Sequence, residues 1–272
     1  MFQNIIRTAL RNLARDLGVT AINLLGLTAA LLSILIIFLF VRHEWSNDTF
    51  HGNSGRLFRV TFDETYGRPD GRHLATTAPP MAEALRRELP EVKEAVRLRY
   101  SDEGVLARLE NQFYEKKLVY ADSAFFELFH FPLAAGDPAT ALDAPNSIVL
   151  TPELSEKYFG MTSPMGETLQ MEGDRSLKVT GVLAKNPDRS HLDFDALISF
   201  STFRVPPGYP VTLDSWAWVS FHTYVLLKAN ATAEEVSAKL PAFMADHYSP
   251  ERADKVRLRL QPVEDIYFHS GA

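Results

Sequence analysis

The chain has 272 residues, of which 46% are hydrophobic and 23% charged, and this composition excludes a wholly disordered protein. It contains no cysteine, which excludes disulfide bonds and thiolate sites for metal binding or catalysis. Its formal net charge is −6 at pH 7, and its length allows one large domain or two smaller ones.

The first predicted element, within residues 1–18, is an amphipathic helix. Its apolar residues follow helical spacing, whereas Arg7, Arg11 and Arg15 recur four positions apart on another face. This pattern predicts a helix at the cytoplasmic membrane surface whose arginines face the headgroups of membrane lipid. The alternative is a short basic segment that only sets the membrane topology.

The second element is Val19–Val41, a run of 23 residues without a formal charge. As a helix it is about 35 Å long, enough to cross a hydrocarbon core of about 30 Å. A signal peptide has a shorter apolar region followed by small residues at a cleavage site, and the residues after Val41 offer no such site. The run therefore predicts a transmembrane anchor at residues 19–41.

Charges beside the span predict its orientation. The three arginines of residues 1–18 precede it, and Arg42 on the other side is followed closely by Glu44 and Asp48. By the positive-inside rule, the N-terminus is cytoplasmic and the main domain lies on the periplasmic side of a bacterial inner membrane. Without the four flanking arginines and Asp16, this outer part keeps 24 basic and 33 acidic residues, a net charge of about −9. Nucleic acid is therefore not an expected partner.

One face of the span carries small residues at positions i, i+3, i+4 and i+7, namely Gly26, Ala29, Ala30 and Ser33. Small side chains let a second helix approach closely, so this face predicts a partner helix in the membrane. Asn23, near the cytoplasmic end, is placed to hydrogen-bond across the same interface.

Beyond the span the sequence predicts two β-α-β units. In the first unit a strand, a helix and a strand occupy residues 56–66, 81–89 and 91–100; in the second they occupy residues 220–228, 232–248 and 256–263. Thr232 followed by Glu235 forms a capping box at the second helix. Two such units indicate an α+β fold with a ferredoxin-like split sheet formed by residues 42–100 and 220–272. Residues 101–219 are rich in short β-prone runs and are expected to form an inserted β-rich subdomain.

Sequence motifs for catalysis, nucleotide binding and metal binding are missing: the chain has no P-loop, no G-x-S-x-G and no H-E-x-x-H. Three groups of side chains were candidates for chemistry: His43, Glu44, Asp48 and His51 after the span, His191 and Asp193 in SHLDFD, and Trp216 and Trp218 in DSWAWVSF. We interpret the first group as a solvated linker or interfacial collar and the second as an ordinary strand edge. Alternation places the two tryptophans on one strand face, in the core or at a contact between subdomains. No catalytic residue, metal or cofactor is therefore expected.

Several longer phrases occur in a characteristic order along the chain. They are ALRNL (9–13), INLLGL (22–27), HEWSNDTFHGNSGRLFRV (43–60), TAPPMAEALRRELPEV (77–92), YADSAFFELFHFPLAAGDPATAL (120–142), NSIVLTPELSEKYFG (146–160), LKVTGVL (177–183), SHLDFDALIS (190–199) and YVLLK (224–228). Each phrase alone is weak. Together they resemble the N-terminal half of one repeat of a MacB-like, FtsX-like ABC transporter permease.

The resemblance implies a periplasmic core domain made of a porter-like subdomain with a β-rich insertion. It also implies a subunit without enzymatic activity that couples ATP hydrolysis by a separate ABC ATPase to periplasmic movement, in efflux or mechanotransmission. Its implied partners are that cytoplasmic ATPase, a second permease copy forming a dimer, and a periplasmic adaptor. The family continues into further spans where this sequence ends, so we expect an N-terminal fragment.

Two other classes of function stay open at this point. One is a sensor ectodomain on a single anchor, which needs a cytoplasmic signalling domain. The other is a membrane-anchored periplasmic enzyme, which needs a pocket of convergent polar groups.

Overall fold

The computed structural model describes residues 17–44, 52–64, 71–101, 104–108, 111–171, 175–185, 190–205 and 208–266. The chain divides into two compact units, residues 1–47 and 48–272. In the first unit, helix α1 covers Leu17–Glu44. Its segment Leu17–Leu39 has a mean hydropathy of 2.5 and is long and apolar enough to cross a membrane. The predicted span is therefore one uninterrupted helix.

The side chains of α1 suit a hydrocarbon environment. Its large apolar side chains are exposed, from 51% for Leu35 to 72% for Leu17. The hydroxyls of Thr28 and Ser33 donate hydrogen bonds within the helix, to the carbonyl oxygens four residues earlier, at 2.7 and 2.9 Å. With these two hydroxyls satisfied within the helix and the apolar side chains facing outward, α1 suits a membrane-spanning segment.

The second unit is built on one mixed sheet. Its strands are β1 (Leu57–Glu64), β2 (Arg72–Leu74), β3 (Val92–Ser101), β4 (Gly104–Arg108), β5 (Asn111–Glu115), β6 (Leu118–Ala121), β7 (Leu133–Gly136), β8 (Ser147–Leu150), β9 (Thr168–Met171), β10 (Arg175–Leu183), β11 (Ala196–Ser199), β12 (His222–Leu227) and β13 (Val256–Pro262). Its helices are α2 (Met81–Glu88), α3 (Phe125–Leu128), α4 (Pro152–Phe159), α5 (Ala233–His247) and α6 (Pro250–Ala253).

The ferredoxin-like half consists of the units β1-α2-β3 and β12-α5-β13. Its four strands lie in the order β13-β1-β12-β3, and every neighbouring pair is antiparallel. Both helices cover the same face of this sheet, where Phe62 of β1 packs with Leu85 of α2 and Phe243 of α5. The predicted split β-α-β fold is confirmed.

The inserted segment extends the same sheet beyond β3 in the order β6-β11-β8-β10-β9-β4-β5, while β7 pairs with β10. The pairs β6–β11 and β8–β10 are parallel, so the sheet is mixed. The β-rich character expected of this segment is confirmed. Because one sheet runs through both parts, the division into subdomains at residues 101 and 219 stays a prediction.

Helix ends follow their local sequence signals. The Thr232 hydroxyl of the α5 cap accepts from the Glu235 backbone N–H at 3.2 Å, and the Glu235 carboxylate accepts from the Thr232 N–H at 3.0 Å. This is the predicted capping box. Helix α5 continues through Pro241. Helix α4 begins at Pro152 after the Thr151 cap and ends before Gly160, which has a φ of 59°.

Two sequence interpretations are wrong. SHLDFD is not a strand edge: residues 190–195 form an irregular segment, and β11 begins only at Ala196. Trp216 and Trp218 do not share a strand face, because residues 215–220 form no strand and contain a turn at 216–217. Trp216 stacks on His247 of α5 with ring centroids 4.1 Å apart, whereas Trp218 packs edge-on against Phe221 at 4.9 Å in a different cluster.

The face of the ferredoxin-like half opposite α2 and α5 is only partly covered. At its β3 side, α3 and the segment after it place phenylalanines on the sheet, and Phe129 meets Tyr224 of β12 with ring centroids 5.1 Å apart. Towards β1 and β13 this face carries polar side chains, among them Arg59, Thr61 and Asp63, which are each less than 10% exposed. We call the part of this face that α3 leaves uncovered the helix-free face.

Candidate functional site

The predicted packing residues of the span lie along one side of α1. With 3.6 residues per turn, Asn23, Gly26, Ala29, Ala30 and Ser33 fall within an arc of about 120°. A Cβ atom added to Gly26 would meet nothing within 4 Å. No contact within the described chain therefore explains the glycine, and the role of this face stays a prediction.

Two groups of predicted residues lie outside what the structure describes. Arg7, Arg11 and Arg15 precede the first described residue, so the interfacial helix is untested. The group of His43, Glu44, Asp48 and His51 also falls on residues whose side chains are not described. Within the described ranges, no three His, Asp or Glu side chains converge as a metal site.

The helix-free face forms the floor of a cavity of about 820 Å³. Neighbouring strands supply this floor: Arg59 of β1 lies opposite Tyr224 of β12, and His222 and Tyr100 are packed edge-on with ring centroids 5.2 Å apart. The wall comes from the irregular segment Ser190–Asp193 and from Ile266 after β13. We call this space the sheet cavity.

Arg59 is the charged group at the centre of the sheet cavity. Its side chain is 7% exposed, and its Nε and Nη2 atoms both donate to the amide oxygen of Gln261 on β13, at 3.2 and 2.7 Å. A guanidinium has five N–H donors, so three are left for other partners. No described carboxylate lies within ion-pair distance of Arg59. The buried charge is therefore neutralised by no described side chain.

His222 is a neutral group in the same cavity at pH 7. Burial, followed by the charges of Arg59, His191 and Arg99, lowers the pKa of His222 to about 4. The imidazole hydrogen-bonds to the backbone of Ala75, and its Nδ1 atom is buried without a partner among the described residues. The ring thus leaves one nitrogen available to a ligand.

His191 fixes the wall of the sheet cavity to its floor. Its Nε2 atom is 2.9 Å from the hydroxyl of Tyr224, and the two rings are 5.4 Å apart. Asp193 in the same segment points towards the rim, where it pairs with Lys117 at 2.8 Å and is 67% exposed. The acidic side chain of the wall therefore does not neutralise Arg59.

Sequence reasoning did not identify the sheet cavity. The alternation of Arg59, Thr61 and Asp63 with apolar residues in β1 is a signal that these side chains share the face away from the core. That alternation does not indicate which distant segment covers the arginine. The covering residues lie more than 100 positions later, and no local pattern connects them.

Three solved structures share this fold. A domain from Porphyromonas gingivalis, described as belonging to a permease protein, is 21% identical, with a TM-score of 0.64 over 78% of this chain and 92% of that chain. The periplasmic region of MacB from Actinobacillus actinomycetemcomitans is 14% identical, with a TM-score of 0.55 over 80% of this chain and 94% of its own. The extracellular domain of the ABC-type transporter YknZ from Gram-positive bacteria is also 14% identical, with a TM-score of 0.52 over 75% and 99%.

At these identities the solved structures establish the fold alone. No protein of curated function matches the sequence. The sequence does match the model of the MacB-like periplasmic core domain over residues 20–243, from the span to the middle of α5. Because this match covers most of the 272 residues, the chain belongs to the family of MacB-like periplasmic core domains.

Proposed function

We propose that the chain is the first span and periplasmic domain of a permease subunit in an ABC-type transporter. The observation that carries this proposal is the family match, which begins inside α1 and continues through the sheet domain. A domain of this family joined to an apolar helix belongs at a bacterial inner membrane. Related permeases work as dimers with an ABC ATPase, and we assign the same partners to this chain.

The proposed mechanism is mechanical. The ATPase rearranges on the cytoplasmic side, α1 transmits the movement, and the sheet domain changes position in the periplasm. In this arrangement the chain itself performs no chemistry. This mechanism is compatible with efflux of a substrate and with transmission of force to a periplasmic adaptor.

The test of the partner is a pulldown from native membranes with the product of the complete gene. We expect a Walker-type ATPase to co-purify and the eluate to hydrolyse ATP. A protein recovered as a monomer without ATPase activity would contradict the proposal and favour a sensor or an anchored enzyme.

The orientation can be tested separately, because these 272 residues contain no cysteine. We expect Met161→Cys, at a fully exposed position, to react with a membrane-impermeant maleimide in spheroplasts. Thr8→Cys should react only after the membrane is permeabilised. The reverse pattern would place the sheet domain in the cytoplasm and reject the proposed topology.

The small-residue face of α1 is proposed as the contact with a partner helix. Gly26→Leu combined with Ala30→Leu adds bulk to that face, so we expect less dimer of the complete permease in cross-linking experiments. Leu24→Phe combined with Leu31→Phe adds bulk to the opposite side of α1 and serves as the control. Equal dimer yields from the two double variants would remove any role for the face.

A further inference from the structure

We propose that the sheet cavity binds a small organic oxyanion, a carboxylate or a phosphate ester that also carries a hydrogen-bond donor. Arg59 would hold the oxyanion, and His222 would accept from the donor. This inference goes beyond the permease role and does not depend on it. The argument rests on the charge of the cavity, on an unused acceptor and on the shape of the space.

The first step concerns charge. Burying a guanidinium is costly unless an anion accompanies it. Arg59 is 7% exposed, and among the described residues its side chain donates only to the neutral amide of Gln261. The remaining N–H donors of its planar fork match the two oxygens of a carboxylate or phosphate. The missing counter-charge is therefore an anion from outside the described chain.

The second step concerns the neighbours of Arg59. The side chains of Arg99 and His191 act on His222 in the same direction as Arg59. The nearby carboxylates are committed elsewhere: Asp193 pairs with Lys117 at the rim, and Asp63 pairs with Arg259 and His73. In a domain with an acidic balance, this cavity is locally positive and attracts anions.

The third step concerns hydrogen bonding. A neutral imidazole donates from one ring nitrogen and accepts at the other, and we assign the accepting role to Nδ1 of His222. That atom is buried and has no described partner. A buried acceptor without a donor is rare in folded proteins, so a hydroxyl or amine on the ligand is the group that completes it.

The last step concerns size. The sheet cavity of about 820 Å³ is far larger than an inorganic ion, and it falls within the range of about 300–1,000 Å³ for small-molecule sites. The rings of Tyr100 and Tyr224 in its floor and the side chain of Ile266 in its wall give it apolar surface. The ligand therefore has an organic body in addition to its anionic group.

Isothermal titration calorimetry on the purified full chain, at constant ionic strength, tests the proposal. Lactate against propionate forms the carboxylate arm, and glycerol 3-phosphate against methyl phosphate forms the phosphate arm. We expect saturable binding in at least one arm, with the hydroxylated probe of that arm bound more tightly. Absence of saturable binding for all four probes would overturn the proposal.

Variants assign the binding to Arg59. Arg59→Met should weaken the preferred probe by about tenfold or more, because the charge-assisted hydrogen bonds are lost. Arg86→Gln removes the same charge from an exposed position on α2, beyond the opposite face of the sheet, and should bind as the parent does. His222→Gln should reduce the preference for the hydroxylated probe. Unchanged binding in Arg59→Met would reject the site.

The same variant separates a binding role from a structural one. If Arg59 serves a ligand, Arg59→Met should unfold at the same temperature as the ligand-free parent or at a higher one, because an unpaired buried charge has been removed. Arg59→Lys keeps the charge without the planar fork, so it should bind more weakly while remaining folded. Wild-type affinity in Arg59→Lys would contradict recognition by the guanidinium fork.

Discussion

Arg97 and Asp122 show how this domain accommodates charge where no ligand is needed. The Arg97 Nε atom donates to the Asp122 carboxylate at 3.1 and 3.2 Å, and its Nη1 atom donates to the Pro79 carbonyl oxygen at 3.1 Å. The guanidinium also lies 4.0 Å from the ring centre of Phe200. Both side chains of the pair are less than a quarter exposed. Arg59 has no comparable set of partners, and this contrast distinguishes a structural arginine from the one in the sheet cavity.

This contrast leads to a prediction about stability. Asp122→Ala leaves the Arg97 charge largely buried without its partner, so it should lower the free energy of unfolding by about 3–5 kcal/mol. Glu127→Ala breaks an exposed pair with Lys93 of similar length, 2.8 Å, and should cost less than about 1 kcal/mol. Urea denaturation of both variants measures the difference. Equal costs would show that burial of the Arg97–Asp122 pair contributes nothing.

His222 leads to a prediction about pH. Its pKa in the folded protein is about 4, below the ordinary value of 6.5, so folding favours the neutral ring. The stabilisation is complete above pH 6.5 and is lost as the pH falls towards 4, by about 3 kcal/mol in total. His222→Gln should therefore lose less stability between pH 7 and pH 4 than the parent does. If His222→Gln keeps the parental pH profile, the ring does not control acid stability.

At the scale of elements, the approach of β7 to β10 depends on one glycine. Gly136 has a φ of 99°, and a Cβ atom there would lie 2.4 Å from the Thr180 carbonyl oxygen. Gly136→Ala should therefore destabilise the domain by about 2–3 kcal/mol, through strain and displacement of β7. Gly55→Ala, where the added atom meets open space, should change stability by about 0.5 kcal/mol or less. Thermal unfolding compares the two, and an equal response would refute the close approach.

Elements with strong local signals were predictable from the sequence. The capping box of α5, the Gly160 end of α4 and the strands of both β-α-β units occur where the pattern indicated them. The hairpin of β4 and β5 was missed, because Tyr114 is exposed and the outer strand lacks a clear apolar alternation. The alternation in DSWAWVSF was misleading, since two turns there direct Trp216 and Trp218 to separate clusters.

At the scale of the whole molecule, the site was less predictable than the fold. The fold follows from local patterns repeated over long segments, whereas the sheet cavity brings together β1, β12, an irregular segment near residue 191 and the turn after β13. These segments meet because residues 190–193 of the insertion fold back over the strands of the ferredoxin-like half. The proposed packing face of α1 is the opposite case, because helical spacing predicts it directly from the sequence.

The sheet domain should unfold as one cooperative unit. Its continuous sheet and a shared cluster, in which Leu57 and Tyr224 pack with Phe129, join the ferredoxin-like half to the insertion. The chain has three tryptophans, Trp45, Trp216 and Trp218. One double variant, with Trp45 and Trp218 replaced by Phe, keeps only Trp216, which packs on α5 of the ferredoxin-like half; the other, with Trp45 and Trp216 replaced, keeps only Trp218, which packs in the cluster of the insertion. We expect both reporters to give the same urea midpoint in fluorescence. Separate midpoints would establish two independent folding units.

Strand β3 joins those two halves by an unusual division of its length. Its residues up to Leu98 pair with β12, and those from Leu98 onward pair with β6. Leu98 is therefore the one residue of β3 that pairs with a neighbouring strand on both sides. The strand pairing between the two halves is thus four residue pairs long, from Leu98–Ala121 to Ser101–Leu118. If the halves shear during a transport cycle, amide protons along this pairing should exchange with solvent earlier than those inside either half. We therefore expect the strand that unites the domain to be the place where it opens first.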